Sequence, residues 1–275
     1  MDSNNKIYQT LRLAVAMCFI GHGAFGIITK PIWCNYFALA GIGTETAYRI
    51  MPIVGTFDIL MGISVLIYPL RIFPFWLIFW GIATASLRPL SGEPFPELIE
   101  RAGNFGAPIC LLVICSGVFK KHGEYFQKLQ PPANIDAKTL NRLLKYLQVI
   151  VFLLLAGHGW LNLLEKKSLL LQYSSLGFPN PANAAHFVGI VELLMAVSVL
   201  VRPMRPVILA FFIWKMGTEL FYPHYEVFEW VERAGSYGTL LALWFALGIR
   251  RDAYSNTNKS GISSGLASSN RPAVS

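Results

Sequence analysis

Val54-Gly55-Thr56-Phe57-Asp58-Ile59-Leu60-Met61 returns as Val188-Gly189-Ile190-Val191-Glu192-Leu193-Leu194-Met195. The likeness extends on both sides. Upstream, Gly21-His22-Gly23 matches Gly157-His158-Gly159. Downstream, Ser64-Val65-Leu66 matches Ser198-Val199-Leu200, and Pro69 and Arg71 match Pro203 and Arg205. Glu97 and Glu100-Arg101-Ala102-Gly103 match Glu229 and Glu232-Arg233-Ala234-Gly235. A self-similarity in this fixed order marks two copies of one supersecondary unit.

The repeat lies in a chain that is 54% hydrophobic and 14% charged. A soluble domain carries about 25% charged residues. Apolar runs near the length of a membrane span, about 20 residues, recur through both copies. They predict spans at about 7–29, 49–68, 72–88 and 98–118, then 141–164, 183–201, 205–221 and 229–248. The fold class read from this is all-α and integral to a membrane. Eight transmembrane helices form two parallel four-helix units. An even number of spans per unit sends both copies in from the same side, so a pseudo-twofold axis should run along the membrane normal. The divisions are 1–120 for the first unit, 121–140 for a linker with Pro131-Pro132, 141–250 for the second unit, and 251–275 for a disordered tail rich in Ser and Asn.

The net charge of +8 reads as a topology signal. Basic residues gather around Lys6, Arg71, the central linker, Arg202 and Arg250, which puts both termini and the linker in the cytoplasm. No basic helix or aromatic-interleaved patch points to nucleic acid. The first apolar run is too long for a cleaved leader and is expected to stay as the first helix. Cys18, Cys34, Cys110 and Cys115 form no C-x-x-C pair and have no counterparts in the second copy. Three of them read as small buried hydrophobes.

The polar residues shared by the copies are the candidate site: His22, Asp58 and Arg101, with His158, Glu192 and Arg233. A carboxylate at mid-span is costly and must face the bundle interior with a partner or carry a proton. Asp58 and Glu192 therefore read either as packing hydrogen bonds or as proton sites. His22 and His158 read as buried hydrogen-bonding groups, proton relays, quinone hydrogen-bond donors, or ligands of haem or metal. Arg101 follows Glu97 by one turn, so a terminal salt bridge is one reading. A guanidinium holding an anion or a quinone carbonyl is the other. At equal depth, each trio should line one polar pocket opening outward. Lys215, Glu219 and His224 add polar groups to the second copy only, with Ala83 roughly opposite Lys215.

Arg12, His22-Gly23, Lys30-Pro31, Asp58, Gly62 and Glu100-Arg101-Ala102-Gly103-Asn104-Phe105 together resemble the DoxX-like family of four-helix membrane proteins, present here twice. The resemblance covers about 7–118 and 141–249, and the doubling departs from the family's usual single unit. It implies a quinone-linked redox role, because the family includes a subunit of a thiosulfate:quinone oxidoreductase. On this reading His22, His158, Arg101 and Arg233 bind quinone, and Asp58 and Glu192 relay protons. Haem or metal stands behind quinone as the cofactor. The expected partners are the lipid bilayer and a soluble or membrane redox protein. The expected location is a bacterial inner (plasma) membrane. A proton-coupled small-solute carrier and a membrane scaffold for a redox partner are the competing functions.

Overall fold

An apolar chain has to satisfy its backbone polar groups within its own segments, and helices do so. The computed structural model describes residues 3–119, 121–220 and 227–269, without the side chains of 122 and 252–269. It is all-helical, with no strand among the described residues. The elements of the first half are α1 (Ser3–Ile27), α2 (Trp33–Ala38), α3 (Thr44–Ile67), α4 (Ile72–Leu90), α5 (Pro96–Glu100) and α6 (Ala102–Ile114). After a 3-10 turn at His122–Phe126 come α7 (Ala137–Leu163), α8 (Lys167–Ser175), α9 (Pro181–Val201), α10 (Arg205–Leu220), α11 (Val227–Glu232) and α12 (Ala234–Ser269).

Five helices, α1, α3, α4, α7 and α9, are each long and apolar enough to cross a membrane. The other expected spans fall short for visible reasons. The fourth is broken at Arg101, which leaves helical geometry (φ −86, ψ 14) and separates α5 from the 13-residue α6. The eighth is divided at the equivalent Arg233, between α11 and α12. The helix α10 has 16 residues and ends where the described residues stop.

Small residues set the packing. A Cβ on Gly23 would stand 2.5 Å from the Gly55 carbonyl oxygen, and one on Gly159 would stand 2.9 Å from that of Gly189. Such contacts let α1 lie against α3, and α7 against α9, backbone to backbone. Gly21 meets the backbone of Glu232, and Gly157 meets that of Glu100. Gly103 and Gly235 face each other where α6 crosses α12. Residues of α1, α6, α7 and α12, among them Leu11, Leu111, Leu154 and Leu243, form the main core. The helices α3, α4, α9 and α10 flank it and turn apolar side chains outward, with Ile67 and Val201 at 74% and 80% exposure. A belt of this kind is more than a water-soluble surface normally carries.

The segment between the halves is fastened to the first. Leu129 N–H donates to Pro69 O at 2.7 Å, and Arg71 N–H donates to Gln127 O at 3.0 Å. Tyr8 donates its hydroxyl to Leu129 O at 3.3 Å. All four cysteines are free, with Cys18, Cys110 and Cys115 buried. Composition predicts disorder after residue 250, but α12 continues as helix to Ser269. Extending a helix costs far less than nucleating one, so a polar segment can prolong a helix that is already packed.

Candidate functional site

The close approach of Gly23 and Gly55 brings His22 on α1 to Asp58 on α3. His22 Nδ1 lies 2.7 Å from Asp58 Oδ2. Asp58 is wholly buried and its Oδ1 has no hydrogen-bond partner. The histidine side chain keeps 18% exposure. It faces a cavity of about 270 Å³, and its ring stands 4.9 Å from that of Trp33. Arg101, Asn104 and Glu232 line the same cavity, joining α6 and α11 to α1. Trp33, Tyr36 and Trp80 supply aromatic wall. The Trp80 indole Nε1 is buried and has no hydrogen-bond partner.

The cations around this cavity are paired. Arg101 donates to Glu97 Oε2 at 2.7 Å and to Glu100 Oε2 at 3.1 Å. Arg88 donates to Glu93 at 3.0 Å, and Lys30 donates to Glu229. Asn104 Nδ2 donates to Glu232 Oε1 at 2.8 Å. An anionic ligand would have to displace carboxylates that already hold these groups. A neutral ligand with carbonyl or hydroxyl oxygens would not. Tyr36 donates its hydroxyl to Glu93. Burial raises the pKa of that phenol against the influence of Arg88, with Glu93 adding to the rise, so Tyr36 stays a neutral donor.

The second half holds a similar pair in a different setting. His158 Nδ1 lies 2.5 Å from Glu192 Oε2. Asn162 Nδ2 lies 3.1 Å from the same ring nitrogen and donates to Glu192 Oε2 at 3.3 Å. Tyr173 donates its hydroxyl to Asn162 Oδ1 at 2.8 Å. Lys215 Nζ then links Glu192 Oε1, at 3.4 Å, to Glu219 Oε1, at 3.0 Å. Tyr237 donates to Glu219 Oε2 at 2.5 Å, and Arg233 reaches Glu100 at 2.9 Å and Glu219 at 3.7 Å. Opposite charges here lie close enough to offset one another, as a low-dielectric interior demands, while His158 Nε2 is buried without a hydrogen-bond partner.

The two settings differ because α4 and α10 differ. Both carry Trp-x-x-x-Thr, Trp80 to Thr84 and Trp214 to Thr218, and in each the threonine hydroxyl donates to the tryptophan carbonyl. Aligned on that motif, Lys215 stands where α4 has Gly81, and Glu219 where it has Ala85. Gly81 and Ala85 line the first-half cavity. The expectation that Ala83 stands opposite Lys215 is two residues out of register with that motif.

Of the expected residues, His22 and Arg101 line the cavity, and Asp58 sits behind His22 rather than on the wall. His158, Glu192 and Arg233 are drawn into the charge network. His224 lies outside the described residues. Sequence reasoning missed Lys30 and Lys166 as partners of Glu229 and Glu97. The available signal was position, since each lysine follows its copy's histidine by the same spacing. Among the described residues, no group of three or more His, Cys, Asp or Glu side chains is arranged to hold a metal ion. The chain matches no family model, no curated protein and no solved structure.

Proposed function

We propose that the chain is a quinone-binding membrane component of an oxidoreductase, with its headgroup site in the first-half cavity. It would cross the bilayer eight times, as two parallel DoxX-like units, with both termini cytoplasmic and the cavity toward the outer face. The reciprocal contacts favour the two-unit arrangement. The contact of α1 with α3 is repeated by α7 with α9, and that of Gly21 with Glu232 by Gly157 with Glu100.

The observation that carries the function is the cavity. A histidine backed by a buried carboxylate, an orphaned indole N–H and an amide stand around one space with aromatic walls. Its volume is near the small end of ligand pockets, about 300 Å³ and upward. That suits one planar headgroup. Donation from His22 Nδ1–H to Asp58 would orient the ring and leave Nε2 to accept from a quinol hydroxyl, or, when the ring is protonated, to donate to a quinone oxygen. A quinone becomes a quinol by taking up two electrons and two protons. The electrons would come from a partner redox protein, His22 would pass one proton at one quinone oxygen, and water would supply the second proton at the other oxygen.

The test is extraction of lipids from the purified protein, followed by titration with a short-tailed quinone. Bound quinone, and binding lost in His22→Ala but kept in His186→Ala, would support the reading. Equal binding by both variants would end it.

A further inference from the structure

A second, separate space lies beyond Trp80. One helical turn further along both α3 and α4 lies a wholly apolar groove of about 470 Å³, lined by Phe57, Met61, Phe73, Trp76 and Phe79. The cavity takes Val54 and Trp80 from these two helices, and the groove takes Phe57 and Trp76, three and four residues away. At 3.6 residues per turn, those pairs lie on one face of each helix. Trp76 stacks on Trp80 with ring centroids 6.1 Å apart and planes at 14°. Phe57 meets Trp76 edge-on at 6.1 Å, and Phe79 lies 5.9 Å from it. Neighbouring rings thus reach from the cavity wall at Trp80 to the outer surface of α3 and α4, where Ile53, Leu60 and Phe79 are exposed.

We propose that this groove is the subsite for the polyprenyl tail of the ligand whose headgroup occupies the cavity. The inference rests on the quinone reading and deepens it, by making the substrate a lipid-tailed molecule that enters sideways from the bilayer. The groove offers no polar group to a headgroup, and the cavity lies one turn away. A tail threaded between α3 and α4 would place its first units on Trp76. Gain over ordinary lipid comes from van der Waals packing on the aromatic faces, since bilayer chains are as apolar as the tail.

The experiment uses the full chain in lipid nanodiscs with a benzoquinone carrying a short prenyl tail and a diazirine on its first prenyl unit. On irradiation, label should appear on α3 and α4 around Phe57 and Trp76. An excess of long-tailed quinone should suppress it, and an excess of phospholipid should not. Met61→Trp fills the groove and should cut this competed label by about tenfold. The same variant should bind a tailless benzoquinone as the parent does, which also reports that it is folded. Competed label confined to other segments, or label displaced equally by phospholipid, would overturn the tail subsite and leave the headgroup reading standing. Absence of any quinone-competed label, together with no binding of the tailless compound, would overturn both.

Discussion

Lys215 Nζ stands 3.0 Å from Glu219 Oε1, at the two positions where α4 carries Gly81 and Ala85. The pair occupies, in the second half, positions that border the cavity in the first. Lys215→Met would leave Glu219 in the interior with Tyr237 and the more distant Arg233, and breaking such a buried pair costs about 3–5 kcal/mol. Lys215→Gly with Glu219→Ala removes both charges and leaves Glu192 with His158. Melting in detergent should therefore rank the double variant above the single one. If Lys215→Met melts with the parent, the network is not holding the second half together.

Asp58 is expected to act through His22. Asp58→Asn keeps a hydrogen-bonding group beside His22 Nδ1 and should retain the fold while weakening quinone binding. Asp58→Leu leaves the ring without a partner and should lower the melting temperature as well. Binding titrations and melts on both variants separate the effects. Unchanged binding in Asp58→Asn would make the carboxylate a packing group only.

Two glycines give opposite expectations. A Cβ on Gly23 would lie 2.5 Å from the Gly55 carbonyl oxygen, so Gly23→Ala must push α1 from α3. Overpacking of this kind costs about 1–3 kcal/mol. A Cβ on Gly217 meets nothing within 4 Å. There Gly217→Ala should stabilise by about 0.5–1 kcal/mol, because glycine is a poor helix former. Paired melts check both, and a destabilised Gly217→Ala would contradict the open surface around α10.

Much of the site was legible because a duplicated chain carries an internal comparison. His22 with Asp58, and His158 with Glu192, stood out as polar pairs that survived in both copies. The inequality of the halves was less legible. It depends on Gly81 and Ala85 against Lys215 and Glu219, and their register rests on the short motif Trp-x-x-x-Thr alone. The breaks at Arg101 and Arg233 were hidden for another reason. Neither follows a proline or glycine, so local propensity predicts continuous helix. The bridge from Arg233 to Glu100 on the other half is tertiary, whereas Arg101 pairs locally with Glu97 and Glu100.

Membrane topology has a direct check. In a background lacking the four cysteines, Ser91→Cys and Ser175→Cys should react with an impermeant thiol reagent in intact cells. Ala133→Cys should not. The reverse pattern would turn the cavity toward the cytoplasm.

Asp136 caps α7, accepting from Thr139 N–H at 2.9 Å and from the Thr139 hydroxyl at 2.7 Å. These bonds hold its carboxyl below the ordinary value. A depressed folded pKa gives stability that is present above the unfolded value and lost as pH falls through the folded one. After correction for the intrinsic pH dependence of exchange, protection of the first α7 amides should fall on acidification below the ordinary carboxylate range. Asp136→Ala should show that loss at neutral pH, and protection that ignores both changes would remove the cap from the account.

Lys30 bonds Glu229, and Lys166 bonds Glu97. Each half thus lends its lysine to the other's glutamate. In a lone four-helix unit these two lysine–glutamate bridges could form only if two identical chains met face to face. An exchange of this form is what a twofold interface produces between identical partners. Cutting both bridges should therefore loosen one half from the other at two matching points.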